Sequence, residues 1–455
     1  MRAPLVSAIP ITHGMLRALA ARDPTNFPVF LDSAAKGPLA RFSLLAFEPG
    51  ARLSRDARGA LGSEGVALGG GGFLDNLDAW FRRERQARHH ATSNLPFAGG
   101  WLVYLGYEMA AEIEPRLALP AAHTPYSAVA LRVEHFALHD ARSGQVFAVS
   151  ENGDSATHAR LVARLESAAS VEEESGEPLS IAAIDEDAPE RFLEQVRRAQ
   201  EFIAAGDIYQ ANLSRAWRLR LRDGAHPRQI YGALRRANPA PFAASWTAGF
   251  TFHSSSPERL LRIEGREIST RPIAGTRPRT GDAAQDARDT AELISHPKER
   301  AEHVMLIDLE RNDLGRVCEA GSVKVDEYMV TESYAHVHHI VSNVCGTLRG
   351  DRSPVDALRA LFPGGTITGC PKVRCMEVIA QLEGTGRGAY TGSLGWLGTD
   401  GDADFNILIR TLTVDGRDVE LRAGAGIVAD SVPERELEET RAKARGLLRA
   451  FADAR

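Results

Sequence analysis

Cysteine is scarce in this chain of 455 residues: there are four, at positions 318, 345, 370 and 375. They are too few for a disulfide framework and lack paired metal spacing. Cys370 and Cys375 have no histidine ligand pattern beside them, which disfavours a zinc pair. Reduced thiols in a cytoplasmic protein are expected. An excess of basic charge is lacking too. Lys and Arg number 54 against 60 Asp and Glu, a net −6 with no long basic run, which argues against a nucleic-acid backbone or an anionic membrane as the main partner. No apolar run approaches a transmembrane span. Residues 1–22, where scattered Leu and Ala are broken by Pro4, Pro10 and His13, have neither the basic start nor the continuous apolar stretch of a signal peptide. No internal repeat is visible. A soluble globular protein with a small-molecule ligand is the expectation.

What is present is a 44% apolar composition, enough to fill a sizeable core. Regular hydrophobic spacing disappears over 168–187, where Ser, Glu, Asp and Gly dominate. This reads as a linker between an N-terminal region, 1–167, and a second region, 188–455. Short strands are expected at 28–34, 42–49 and 99–108, and a helix at 73–85. Gly69 to Gly72 read as a loop tip, since no Lys-Ser/Thr follows to make a phosphate cradle. Beyond the linker a helix is expected over 189–205. From Leu213 the period changes to two, with Leu213, Trp217, Leu219 and Leu221 on one parity and Arg218, Arg220 and Arg222 on the other. That is a half-buried antiparallel strand, with Arg215 breaking the apolar parity. Further strands fit 251–253, 261–263, 392–397, 407–414 and 419–423, and helices fit 297–312, 371–382 and 433–451. The mixture predicts an α+β protein rather than a clean βαβ repeat.

Several constellations could carry chemistry. Glu299 and Glu302 share a helix face, and Glu436, Glu439 and Lys443 share another. Each alone would pass for a solvated charged surface. Gly424 and Gly426, spaced in a strand end just before the second acidic helix, allow backbone to approach a ligand closely. The segment GGTITGCPK, 364–372, runs a glycine turn into Pro371 at a helix start, which favours an anion. Carboxylate pairs beside an anion site suggest a bridging Mg²⁺ that completes its shell with water and ligand oxygens.

Five motifs together, SPERL (256–260), PIAGTRPR (272–279), KERAEHVMLIDLERNDLGRV (298–317), GGTITGCPKVR (364–374) and GAGIVADSVPERELEETRAKA (424–444), resemble the chorismate-utilising enzymes. That family includes anthranilate, aminodeoxychorismate, isochorismate and salicylate synthases. The resemblance covers about 188–450, with a weaker N-terminal likeness to the accessory region of the amino-transferring members. It implies large mostly antiparallel sheets packed as a composite sandwich with helices outside. It also implies roles: Glu302 and Glu439 as Mg²⁺ ligands, with Glu299 and Glu436 supporting them. Tyr390 and Arg410 would grip the enolpyruvyl carboxylate, helped by Lys443 and the backbone of Gly424 and Gly426. Thr276 and Thr366 would line the ring, His339 would lie near the departing hydroxyl, and Glu258 would be the general acid that lets the C4 hydroxyl leave as water.

Two positions bear on the nucleophile. Members that add water carry a lysine base where GDIYQANLS places Gln210, and glutamine cannot take a proton from water. Ammonia is then the expected attacker. No glutaminase segment is recognisable, so a separate glutamine amidotransferase subunit or solution would supply it. Many aminodeoxychorismate synthases have a nucleophilic lysine where Ala274 stands, and Ala274 resembles anthranilate synthase instead. Against that, NPAPF (238–242), GGTITG and RGAYTGSLGWL (387–397) resemble the aminodeoxychorismate branch. FLDSA (30–34) departs from the LLES-type segment with which anthranilate synthase senses tryptophan. The expectation is an aminodeoxychorismate synthase component I without the lysine, with anthranilate synthase component I as the alternative. A binding or regulatory homologue without turnover is the alternative from another class, and the presence of Glu258, Glu302 and Glu439 argues against it.

Overall fold

The computed structural model describes residues 3–35, 37, 39–168, 177–279, 281–333 and 337–452. The side chains of residues 276, 278, 298 and 337 also lie outside that description. Within it, two large sheets pack face to face with helices on their outer surfaces. One sheet has thirteen strands. It runs from an edge at Leu5–Ile9 through Val29–Asp32, Phe242–Trp246, Thr251–Ser256, Thr411–Asp415, Asp418–Ile427 and Gln210–Leu221 to Leu179–Glu186 and Phe451–Ala452. The other has eleven. It runs from Ile273–Pro278 through Val337–Thr347, Arg259–Glu264, Ala403–Asn406, Ser393–Gly398 and Gly100–Leu105 to Leu61–Glu64. Neighbouring strands are antiparallel throughout, except for the parallel pairing of Leu179–Glu186 with Phe451–Ala452. The fold is the α+β sandwich expected.

Burial explains why some strands alternate and others do not. All six residues of Gly100–Leu105 are buried. Trp101, Val103 and Leu105 pack with the helices Phe73–Glu84 and Pro354–Leu361, while Leu102 and Tyr104 pack against Trp246 and Phe252 of the opposite sheet. A strand covered on both faces reads as a continuous apolar run. Gln210–Leu221 alternates at its exposed end, where Arg218 and Arg220 face solvent. Arg215 is buried and pairs at 2.6 Å with Glu186 on the adjacent strand while stacking on Trp217. That is how the sheet tolerates the parity break.

Two expectations change. The stretch 168–187 was expected to be a linker. Its second half is the strand Leu179–Glu186, paired with Gln210–Leu221, while residues 169–176 lie outside the described residues. Only Leu179 and Ile181 of this strand are buried, so a mostly exposed strand beside the sheet edge read as a linker. Both sheets also take strands from each side of this stretch. The strand expected at 407–414 begins only at Thr411, because residues 407–410 leave the sheet: Ile407 N–H donates to the Glu258 carbonyl and Leu408 N–H to that of Gly392. The 69–72 glycines are a loop, and the helix they precede has its first N–H groups, Phe73 and Leu74, donating to the Glu112 carboxylate. Among the described residues no helix is long and apolar enough to cross a membrane.

Candidate active site

Glu258 sits in the turn between Thr251–Ser256 and Arg259–Glu264, 4% exposed. Burial disfavours its charged form and pushes its pKa from an ordinary 4.5 to about 7. The Thr366 hydroxyl, the Ile273 N–H (3.4 Å) and the charges of Arg410 and Lys443 pull the other way and only partly offset this. A carboxylic acid still carrying its proton near neutrality is suited to general-acid work.

His339 lies on Val337–Thr347, buried, with its pKa lowered to about 3, first by desolvation and then by Arg410. It is a neutral imidazole at physiological pH. Arg410 and Lys443 act on both Glu258 and His339, so the fold draws these four groups together from four separate elements. Arg410 is held at φ +54° and Thr391, beside Tyr390, at φ +62°. Two non-glycine residues in the left-handed region, where such strain costs on the order of 1–3 kcal/mol each, flank the same site.

The opposite wall is backbone. Gly424 has no room for a side chain: a Cβ there would come within 2.6 Å of Asn212 Oδ1, 2.7 Å of the Leu213 carbonyl and 2.8 Å of the Tyr390 hydroxyl. Tyr390 is 7% exposed, and burial pushes its phenol up to about 12, so it is a hydrogen-bond donor. At Gly426 a Cβ would meet the Gln210 amide at 2.4 Å. Lys443, on the helix Pro433–Leu448, donates to the Gly424 carbonyl at 2.8 Å and closes this wall. Gln210 starts its strand earlier than the expected Leu213, because Gly369–Cys370 pairs with Gln210 and Ala211. Its Oε1 and Asn212 Oδ1 are buried without a hydrogen-bond partner among the described residues. Buried orphan acceptors lining one wall are what a ligand with donors would satisfy.

Ala274 lies in Ile273–Pro278, opposite Ile340 in the neighbouring strand. The next residue, Gly275, takes φ +57°, and a side chain on it would meet Glu299 Oε2 at 2.9 Å. This brings the first acidic helix, Pro297–Gly315, against the turn. The side chain of Thr276 lies outside the described residues.

The proposed metal ligands are less gathered. Glu299 is 3.4 Å from Arg277, Glu439 is 2.7 Å from Lys443, Glu302 is half-buried and Glu436 is buried. Among the described residues no three His, Cys, Asp or Glu side chains form a ready cage. A hard cation that keeps waters and takes ligand oxygens needs only one or two protein carboxylates, so an all-carboxylate donor set on two helices fits Mg²⁺.

A cavity of about 770 Å³ lies elsewhere. It lies at the start of the helix Lys372–Glu383, between Val304, Met305, Asp313, Lys372 and Arg374. The helix start expected to hold an anion opens there, and Lys372 is paired with Asp313. We place the chemistry at Glu258 because that is where the perturbed acid, the cations and the strained backbone converge. A second cavity, about 470 Å³, lies between the sheets beside Ser33 and Phe242. At its rim Asp32 is fully engaged with Tyr231 (2.7 Å), Arg235 (2.7 Å), His13 (2.9 Å) and Ser43 (3.2 Å).

Sequence reading missed Asn212, two residues from Gln210 and therefore on the same strand face. It also missed Glu310, buried behind Gly365 with its pKa raised to about 7 by burial and by Asp313. The period-two spacing could have found the first. For the second, an acidic residue in a helical motif carried no signal of burial.

Comparison with known proteins bears on the family and the overall fold. The profile of the chorismate binding enzymes matches residues 34–449. Anthranilate synthase component 1 of Streptomyces coelicolor is 44% identical over 380 residues, 79% of this chain and 74% of that protein. Aminodeoxychorismate synthase component 1 of Bacillus subtilis is 50% identical over 261 residues, 57% of this chain and 55% of that protein. The crystal structure of anthranilate synthase component I from Streptococcus pneumoniae superposes with a TM-score of 0.80 at 30% identity, covering 90% of this chain and 93% of that one. The chain belongs to the chorismate binding enzymes, of the component I type to which the anthranilate and aminodeoxychorismate synthases belong.

Proposed function

We propose that this protein aminates chorismate at C4, converting chorismate and ammonia to 4-amino-4-deoxychorismate and water. The observation that carries the amination chemistry is Glu258, a buried acid whose proton is retained up to about pH 7 beside Arg410 and Lys443. Tyr390, Arg410, Lys443 and the backbone at Gly424 and Gly426 hold the enolpyruvyl carboxylate, with Thr366 along the ring. Glu258 gives its proton to the C4 hydroxyl, the C–O bond breaks, and water departs. Ammonia forms the new C–N bond and its surplus proton returns to the carboxylate. Neutral His339 accompanies the leaving hydroxyl without adding positive charge. Gln210 offers no base for water, which leaves ammonia as the nucleophile, delivered by a separate glutamine amidotransferase subunit. Mg²⁺, held by Glu302 and Glu439 with Glu299 and Glu436 in support, would neutralise substrate carboxylate charge.

The choice of C4 rests on the motif matches at 238–242, 364–369 and 387–397. It is supported by Asp32, whose carboxylate is consumed by four protein partners where an anthranilate synthase carries its LLES-type tryptophan-sensing segment. The second reading, anthranilate synthase, is favoured by Ala274 and by the names of two of the three relatives above. The test is product analysis of pure protein with chorismate, Mg²⁺ and ammonium at alkaline pH. Aminodeoxychorismate as the main product is expected, and fluorescent anthranilate as the main product would refute the assignment to C4.

A further inference from the structure

Behind the Tyr390 wall lies a buried charge cluster with no part in the chemistry described above. Arg387 is 4% exposed and spends its guanidinium on four separate pieces of backbone and side chain. It pairs with Glu383 through Nε (3.0 Å) and Nη2 (2.6 Å). It also donates from Nη2 to the Asn212 carbonyl (2.6 Å) and from Nη1 to the Ile367 carbonyl (3.2 Å) and Thr391 Oγ1 (3.4 Å). Its guanidinium carbon stands 5.7 Å from the Tyr390 ring centre and 4.9 Å from that of Tyr107. Glu383 is shared with Arg422 (3.2 Å) and with the Ser214 N–H and hydroxyl (2.8 and 2.9 Å). Burial works against the Glu383 charge, but Arg387 and Arg422 outweigh it and hold the carboxyl below its usual range. Asp187 also interacts with Arg422, and the buried Glu108 carboxyl accepts from the Arg387 N–H (2.7 Å), so the two guanidinium groups sit in a buried charge network.

Burying ion pairs is costly unless their geometry is used. Here every segment the guanidinium ties down carries a group assigned to substrate. Asn212 is two residues from Gln210, Ile367 follows Thr366, and Thr391, in its left-handed conformation, follows Tyr390. A planar fork with five donors can hold three segments in fixed register, and a lysine cannot.

We propose that Arg387 is a positioning residue for recognition of the substrate's enolpyruvyl carboxylate, fixing the Tyr390 hydroxyl against Gly424 and the 364–368 turn against the ring without itself touching substrate. This rests on the reading of the site as a chorismate site. The measurement is chorismate consumption with saturating ammonium and Mg²⁺, which does not depend on which product forms. Arg387→Lys is expected to fold, and to raise KM for chorismate at least tenfold while kcat changes less than threefold. In a Tyr390→Phe background the same substitution should change KM less than twofold, since residues acting as one unit are non-additive. An unchanged KM in folded Arg387→Lys, or independent multiplication of the two effects, overturns the proposal. Should Arg387→Lys not fold, Glu383→Gln, which loosens the same fork, is expected to raise KM more than threefold with kcat kept. A lower melting temperature with unchanged KM would mark the cluster as purely structural and overturn the proposal. Wild-type protein that consumes no chorismate would refute the site reading itself, an outcome distinct from both.

Discussion

Replacing Glu258 by Gln separates the two consequences of burying an acid at the site. The folded pKa is about 7 against an ordinary 4.5, so between these values the folded state binds the proton more tightly than the unfolded chain. The stabilising contribution of the protonated form is fully present below pH 4.5 and is lost as pH rises to about 7. A shift of about 2.5 units corresponds to roughly 3 kcal/mol. Gln has the same shape, still accepts from the Ile273 N–H and carries no charge to bury. The variant should therefore gain about 3 kcal/mol over wild type at pH 8, with the gap closing below pH 4.5. Glu310 has a similarly raised pKa, but it is common to both proteins and cancels in the difference. For a chain of 455 residues, unfolding entropy of about 1 kcal/mol/K converts this to a melting temperature about 3 °C higher at pH 8. Activity should move the other way, with kcat falling roughly 10²–10⁴-fold through loss of the general acid. Wild-type kcat/KM, normalised to free ammonia, should decline as pH rises through about 7. Paired melting curves across pH 4 to 8.5 and steady-state kinetics are the assay. A variant less stable than wild type at pH 8, or one retaining more than a tenth of wild-type kcat, would refute the reasoning.

Gly424→Ala introduces a Cβ 2.7 Å from the Leu213 carbonyl, which cannot yield, and 2.8 Å from the Tyr390 hydroxyl, which can. KM for chorismate should rise at least tenfold, about 1.4 kcal/mol of lost binding, and calorimetric titration with chorismate would check it. Ala274→Lys places an amine in the strand Ile273–Pro278. A covalent adduct, formed by lysine attack at C2 with the C4 hydroxyl leaving as water, should then be seen by intact-protein mass spectrometry in the variant and not in wild type. A chelator should abolish turnover, and restoring it should need at least tenfold more Mg²⁺ in Glu302→Gln or Glu439→Gln than in wild type. Equal Mg²⁺ requirements would remove these two carboxylates from the metal site.

Much of the architecture is legible where local pattern and tertiary environment agree. The two-residue period of 213–221 and the unbroken apolar run at 100–105 each report how many faces of a strand are covered. The acidic helices at 297 and 433 announce their starts with Pro at the first turn. What was not legible depends on distant partners. Leu179–Glu186 looks like a linker until Gln210–Leu221 and Phe451–Ala452 come alongside it. Residues 407–410 carry strand-like Ile and Leu, yet hydrogen bonds to Glu258 and Gly392 peel them away and aim Arg410. The candidate site residues carry motif signals, but the desolvation that raises the Glu258 pKa exists only in the folded chain. Arg387 shows the same limit, since nothing in the local sequence separates a buried arginine hub from a solvated one.

The product formed from chorismate with ammonium and Mg²⁺ decides whether the amino group enters at C4. The expected product is 4-amino-4-deoxychorismate, seen by chromatography of the quenched reaction, with anthranilate fluorescence absent or minor. Anthranilate as the main product would contradict amination at C4.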